Sequence, residues 1–78
     1  MTRQEVLGLN YGQVVYDRHH KNADGTPARW RVASQVKTWK TKPDVRVSIK
    51  HGLRDWDTIT LTNADRFSLT EEGADNES

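Results

Sequence analysis

Seven residues in the middle of the chain have the types and spacing to hold a polyanion: Arg31, Lys37, Trp39, Lys40, Lys42, Arg46 and Lys50. Ammonium and guanidinium groups track phosphates, and an indole offers a face on which an unpaired base stacks. Trp39 lies in "KTWKTK", between Lys37 and Lys40 with Lys42 close behind. The alternative is structural: Trp39 covers one end of a small domain while the lysines solvate it.

Other chemistries find less support. His19 and His20 are adjacent, so on a strand they point to opposite faces and do not share one metal. With Asp17 and His51 they would form a site only if the fold gathered them, and the paired ligand spacings of zinc sites are missing. Ser34, Ser48 and Ser68 lack a nucleophile-elbow context. The five glycines are scattered and build no phosphate loop. The expectation is therefore a non-enzymatic protein with no cofactor, no metal and no catalytic residue. Trp30 reads as core. Trp56, between Asp55 and Asp57, reads as a packing residue or a protein contact that repels phosphate.

The charge distribution sharpens the polyanion reading. The net charge of the 78 residues is only +1. Yet residues 18–54 carry ten basic and two acidic side chains, whereas residues 55–78 carry seven acids and a single base. A basic centre followed by an acidic segment suits an anionic partner. There is no cysteine, so neither a disulfide nor a thiolate metal site is available as a staple. No apolar run resembles a signal peptide or a membrane span, which gives the expectation of a soluble, cytoplasmic protein with no membrane partner.

These side chains must be positioned by short strands. "GQVVYDRH", residues 12–19, is rich in β-branched and aromatic residues. Residues 20–28 collect Asn, Asp-Gly and Pro and read as an exposed loop. "ARWRV" follows as a second strand. From Val32 to Trp39 two readings compete: one long strand, or a hairpin around Ala33-Ser34-Gln35 that pairs Val32 with Val36. The hairpin is preferred because it buries one apolar face and leaves the basic one out. "VRVSIKHG", residues 45–52, alternates without a break, with Val45, Val47 and Ile49 inward and Arg46, Ser48 and Lys50 outward. "WDTITLTN", residues 56–63, is the next strand. A helical turn is expected in "TNADRFSL", with Thr62 or Asn63 as its N-cap.

The fold expectation is all-β: a small bent antiparallel sheet or an SH3-like barrel of four to five strands, with at most a short helical turn. An open sheet that dimerises through its apolar face is the alternative. Residues 1–70 form the single domain, and residues 71–78 a disordered acidic tail. The expected core is Val14, Tyr16, Trp30, Val32, Val36, Val47, Ile49, Ile59 and Leu61.

"RWRVASQVKTWK" followed by "PDVRVSIKHGL" resembles short uncharacterised reading frames of prokaryotic viruses and plasmids. The likeness covers about the middle third of the chain. It implies a compact accessory protein, in a host cytoplasm if virus-encoded, that acts by binding nucleic acid or protein. The function expected is a nucleic-acid-binding module using the basic strand face. Its rival is a protein-interaction or structural module that self-associates through its sheet, for instance as a homodimer.

Overall fold

The computed structural model describes residues 1–75. Six strands, β1 (Val14–Lys21), β2 (Pro27–Val32), β3 (Lys37–Thr38), β4 (Val45–His51), β5 (Asp55–Thr60) and β6 (Phe67–Ser68), form one antiparallel sheet. β4 is its hub. β5 lies along one edge of β4, β2 and β3 share the other, and β1 and β6 follow outward from β2. No pairing joins β6 to β3 or β5, so the sheet stays open rather than closing into a barrel. The all-β class is as expected, with six strands in place of four or five. Among the described residues, helix is confined to α1 (Arg3–Leu7), α2 (Glu71–Asp75) and a 3-10 turn at Ala64–Arg66. None of these is long and apolar enough to cross a membrane.

The segment from Val32 to Trp39 overturns the hairpin. Val32 pairs with Ile49 and Lys37 with Arg46, so both halves run alongside β4 in the same direction. Four residues, 33–36, thus oppose only Val47 and Ser48, which makes a bulge in one long strand. Ala33 N–H donates to Ser48 O and Ser48 N–H to Ser34 Oγ, which ties the start of the bulge to β4. Without Gly or Asn, Ala-Ser-Gln has no residue suited to the left-handed position of a three-residue hairpin loop.

The true hairpin of that kind joins β1 and β2. Asn22 N–H donates to Thr26 O, Gly25 N–H donates to Asn22 O, and Gly25 has φ +87°. That loop is shorter than the 20–28 expected, and β1 extends to Lys21.

The inner face holds Val15, Trp30, Val32, Val45, Val47, Ile49, Ile59 and, on β6, Phe67, with Val6 of α1, Leu9 and Ala64 packed into the same buried cluster. α1 has a sequence signature in the capping box Thr2-x-x-Glu5: Glu5 N–H donates to Thr2 Oγ1 and Thr2 N–H to Glu5 Oε1. The expected core is corrected at three positions. Val14 and Tyr16 lie on the outer face and are only partly buried, because β1 turns Val15 and Asp17 inward instead. Leu61 falls in the turn after β5 and is exposed. Val36 packs against the core from the bulge while remaining partly accessible.

The acidic C-terminal segment is also corrected where it is described. Residues 71–75 form α2, which packs on the end of the sheet at β1 and β6 with Ala74 fully buried. Thr70 Oγ1 accepts from Gly73 N–H, and Glu71 and Glu72 occupy the first turn, where the helix dipole favours negative charge. Gly73 lies so close to Ser68 that a Cβ there would collide with its hydroxyl. Residues 76–78 of the expected tail lie outside the described residues.

Candidate nucleic-acid interface

Residues directly opposite each other on antiparallel strands share a face. Val14 opposes Arg31, Arg31 opposes Lys50, and Lys50 opposes Trp56, which sets these four side chains in a row across β1, β2, β4 and β5. A parallel row joins Lys37, Arg46 and Thr60 across β3, β4 and β5. Arg46 and Lys50 are four residues apart on β4, so the rows lie about 13 Å apart along the strand.

Arg31, Lys37, Arg46 and Lys50 therefore meet on the outer face, as two like-charge pairs. Among the described residues, no carboxylate forms an ion pair with any of them. Like charges placed opposite each other weaken a sheet. The aromatic rings relieve part of this. Lys42 Nζ, Lys37 Nζ and Arg46 Cζ lie 4.6, 5.4 and 5.7 Å from the Trp39 ring centroid. Each such contact at an exposed site contributes about 0.5–1 kcal/mol. Trp39 is half-buried, and these three cations gather against its ring. Lys40 is exposed in the loop between β3 and β4.

Trp56 corrects the sequence reading. Asp55 and Asp57 flank it in sequence, but strand alternation sends both to the other face. Asp57 lies opposite Ile49 and bonds Arg66 at 3.1 Å, while Asp55 lies opposite His51. Trp56 alone joins the basic face, where Lys50 Nζ sits 5.0 Å from its ring centroid. Tyr11, Leu53 and Arg29, which sequence reasoning missed, border the same groove of about 650 Å3.

The inner face carries a second polar constellation. The buried Asp17 carboxylate accepts from Arg66 Nη2 at 2.7 Å, His20 Nδ1 at 2.9 Å, His19 N–H at 2.8 Å and Trp30 Nε1 at 3.2 Å. Arg66 Nε adds a bifurcated bond at 3.1 and 3.0 Å. Burial pushes the Asp17 carboxyl up, but the hydrogen bonds from Arg66, His20 and the His19 amide outweigh it and bring it down to about 2. His51 stands apart, its Nδ1 donating to Arg29 O at 2.7 Å and its ring tilted against Trp30. His19 and His20 thus meet at Asp17 through a backbone amide and a ring nitrogen while His51 lies elsewhere, and no cluster of three or more His, Cys, Asp or Glu capable of holding a metal occurs among the described residues. Asp17, Arg66 and Asp57 tie β1, the 3-10 turn and β5 together; their geometry is that of a staple.

No protein-family model matches the chain, and searches of curated proteins and of solved structures return no match.

Proposed function

We propose that this protein is a nucleic-acid-binding module that engages phosphates with the outer face of its sheet, through Arg31, Lys37, Lys40, Lys42, Arg46 and Lys50, with Trp39 organising the cations. The observation that carries the reading is the two cross-strand like-charge pairs without a carboxylate partner among the described residues. A small domain gains no stability from such pairs, whereas a polyanion gives them counter-charge.

Self-association through the sheet has less support. The inner-face side chains are already buried within one copy, packed with Val6, Leu9 and Ala64 from outside the strands. The outer edge of β5 is capped locally: Thr60 N–H donates to Asn63 Oδ1, Asn63 Nδ2 donates to Thr58 O, and Thr58 N–H donates to Asp57 Oδ1. Side chains that occupy edge groups in this way block strand addition.

Fluorescence anisotropy with short single- and double-stranded oligonucleotides tests the proposal. With three to six phosphate contacts, affinity should fall roughly 10- to 1,000-fold between 50 and 200 mM salt. Absence of micromolar binding at low salt would refute it.

A further inference from the structure

Four large apolar side chains among the described residues are markedly exposed: Leu53 (89%), Tyr11 (76%), Trp56 (58%) and Leu61 (37%). Three of the four, Tyr11, Leu53 and Trp56, border one groove, with Arg31 and Lys50 between them. Exposed apolar groups concentrated in a single concavity mark a binding surface. We infer that this groove is a base-stacking subsite for single-stranded nucleic acid, with Trp56 and Tyr11 as the stacking rings and Arg31 and Lys50 as the phosphate clamp.

The inference rests on the nucleic-acid reading and adds which nucleic acid, and where its bases go. Trp56 stands at the β5 end of the row Val14–Arg31–Lys50–Trp56. Tyr11 enters from the opposite side, on the turn before β1, which is anchored by Gly12 N–H to Val32 O and Val32 N–H to Gln13 O, both 2.8 Å. Three interstrand steps separate β1 from β5, or about 14 Å. The cations on β2 and β4 lie between the strand that carries Trp56 and the turn that carries Tyr11, which matches a strand whose bases are splayed while its backbone crosses the middle; Lys50 sits against one face of the Trp56 indole, and the ring has a second. A duplex keeps its base faces stacked inside and offers this groove only phosphates. An acidic peptide would satisfy Arg31 and Lys50 but does not pair every charge with a ring, as each nucleotide does. Gly52, at φ +68°, shapes the β4–β5 turn that carries Leu53 to the groove rim.

The test uses the full chain and three fluorescein-labelled 12-mer probes: a single strand, an abasic strand with the same number of phosphates, and a duplex. The wild type should bind the single strand more tightly than the abasic strand. Trp56→Ala should lower single-strand affinity about 5- to 150-fold, the range for losing one stacked base. It should leave abasic and duplex affinities within about two-fold, and Trp56→Phe should restore most of the loss. Tyr11→Ala should behave as Trp56→Ala. Circular dichroism confirms that the variants fold. Equal wild-type affinity for single and abasic strands, or unchanged single-strand binding by Trp56→Ala, overturns the subsite while leaving the nucleic-acid reading intact. Failure of the wild type to bind any probe overturns both.

Discussion

Replacing Asp17 by Asn perturbs a buried carboxylate at the centre of a hydrogen-bond network. The carboxylate is fully buried and accepts only; its neighbours Arg66, His20, Trp30 and the His19 amide all donate to it. An amide of the same shape removes the charge and turns an NH2 group toward one of these donors. Breaking one member of a buried ion pair costs about 3–5 kcal/mol. A 78-residue domain has a total stability of roughly 4–12 kcal/mol at ordinary per-residue values, so this loss takes a large share. At roughly 4–8 °C per kcal/mol, the melting temperature should fall by about 12–40 °C.

The pH dependence follows from the same contacts. The Asp17 carboxyl lies at about 2 in the folded protein against an ordinary 3.8. A depressed carboxyl stabilises the fold above its unfolded value and loses that contribution as pH falls through the folded one. The wild type should therefore lose about 2 kcal/mol between pH 4 and pH 2 from this group. Asp17→Asn should show a shallower acid decline over that window. The smaller acid figure is consistent with the larger mutational one, because a protonated carboxyl still offers two oxygens where the amide offers one. Urea unfolding followed by circular dichroism at pH 7, 4 and 2 supplies the numbers. An unfolding free energy within about 0.5 kcal/mol of wild type at pH 7, below the ordinary range for a buried ionic group, would refute the reasoning. Adding Arg66→Met to Asp17→Asn should cost less than the sum of the two single changes, by about 1–3 kcal/mol of coupling.

Two further outcomes concern the outer face and the edge. Lys37→Glu with Lys50→Glu turns both like-charge pairs into opposite-charge pairs, a gain of about 0.2–1 kcal/mol per pair, but removes the cation–π contacts to Trp39 and Trp56, about 0.5–1 kcal/mol each, so stability should stay within about 1.5 kcal/mol of wild type while oligonucleotide affinity collapses; unchanged affinity would contradict this account of the face. Asn63→Ala frees the Thr58 carbonyl and the Thr60 amide on the β5 edge, and sedimentation velocity should then show concentration-dependent association where the wild type shows none.

The legibility of this fold in its sequence varies with local chemistry. β4 could be read residue by residue, because Val45, Val47 and Ile49 alternate with polar neighbours and nothing competes with the period. β1 could not. "VVYD" offers apolar residues in both phases, and turning Asp17 inward is disfavoured until Arg66, 49 positions away, supplies its partner. The bulge at 33–36 was hidden for a related reason: two extra residues restore the alternation beyond it, so the pattern fits either a hairpin or a bulged strand. Glu71 and Glu72 resembled a solvated tail because acidic residues serve equally in disordered segments and in first helical turns; Thr70 and Ala74 distinguish the two.

The candidate site was legible in its cations and obscure in its aromatics. Arg31, Lys37, Arg46 and Lys50 converge as alternation requires. Trp56 is obscure in sequence because its acidic neighbours Asp55 and Asp57 lie on the other face, and its exposure excludes only the packing reading. The residues beside a strand tryptophan point away from it, and its neighbours are those on the next strand.

The staple and the outer face are linked through the register of β1. A one-residue slip exchanges the faces of a whole strand. With Asp17 inward, Val14 takes its place opposite Arg31 on the outer face, and the turn carrying Tyr11 meets the end of β2. With Asp17 outward, Val15 would stand there, Tyr16 would crowd the core and Arg66 would keep Asp57 as its carboxylate partner but lose Asp17. The buried ion pair thus discriminates between two registers whose apolar patterns are almost equally good. That discrimination fixes one end of the row Val14–Arg31–Lys50–Trp56. The groove is accordingly specified from both sides of the sheet, by cross-strand pairing on the face that forms it and by a carboxylate–guanidinium contact on the face behind it.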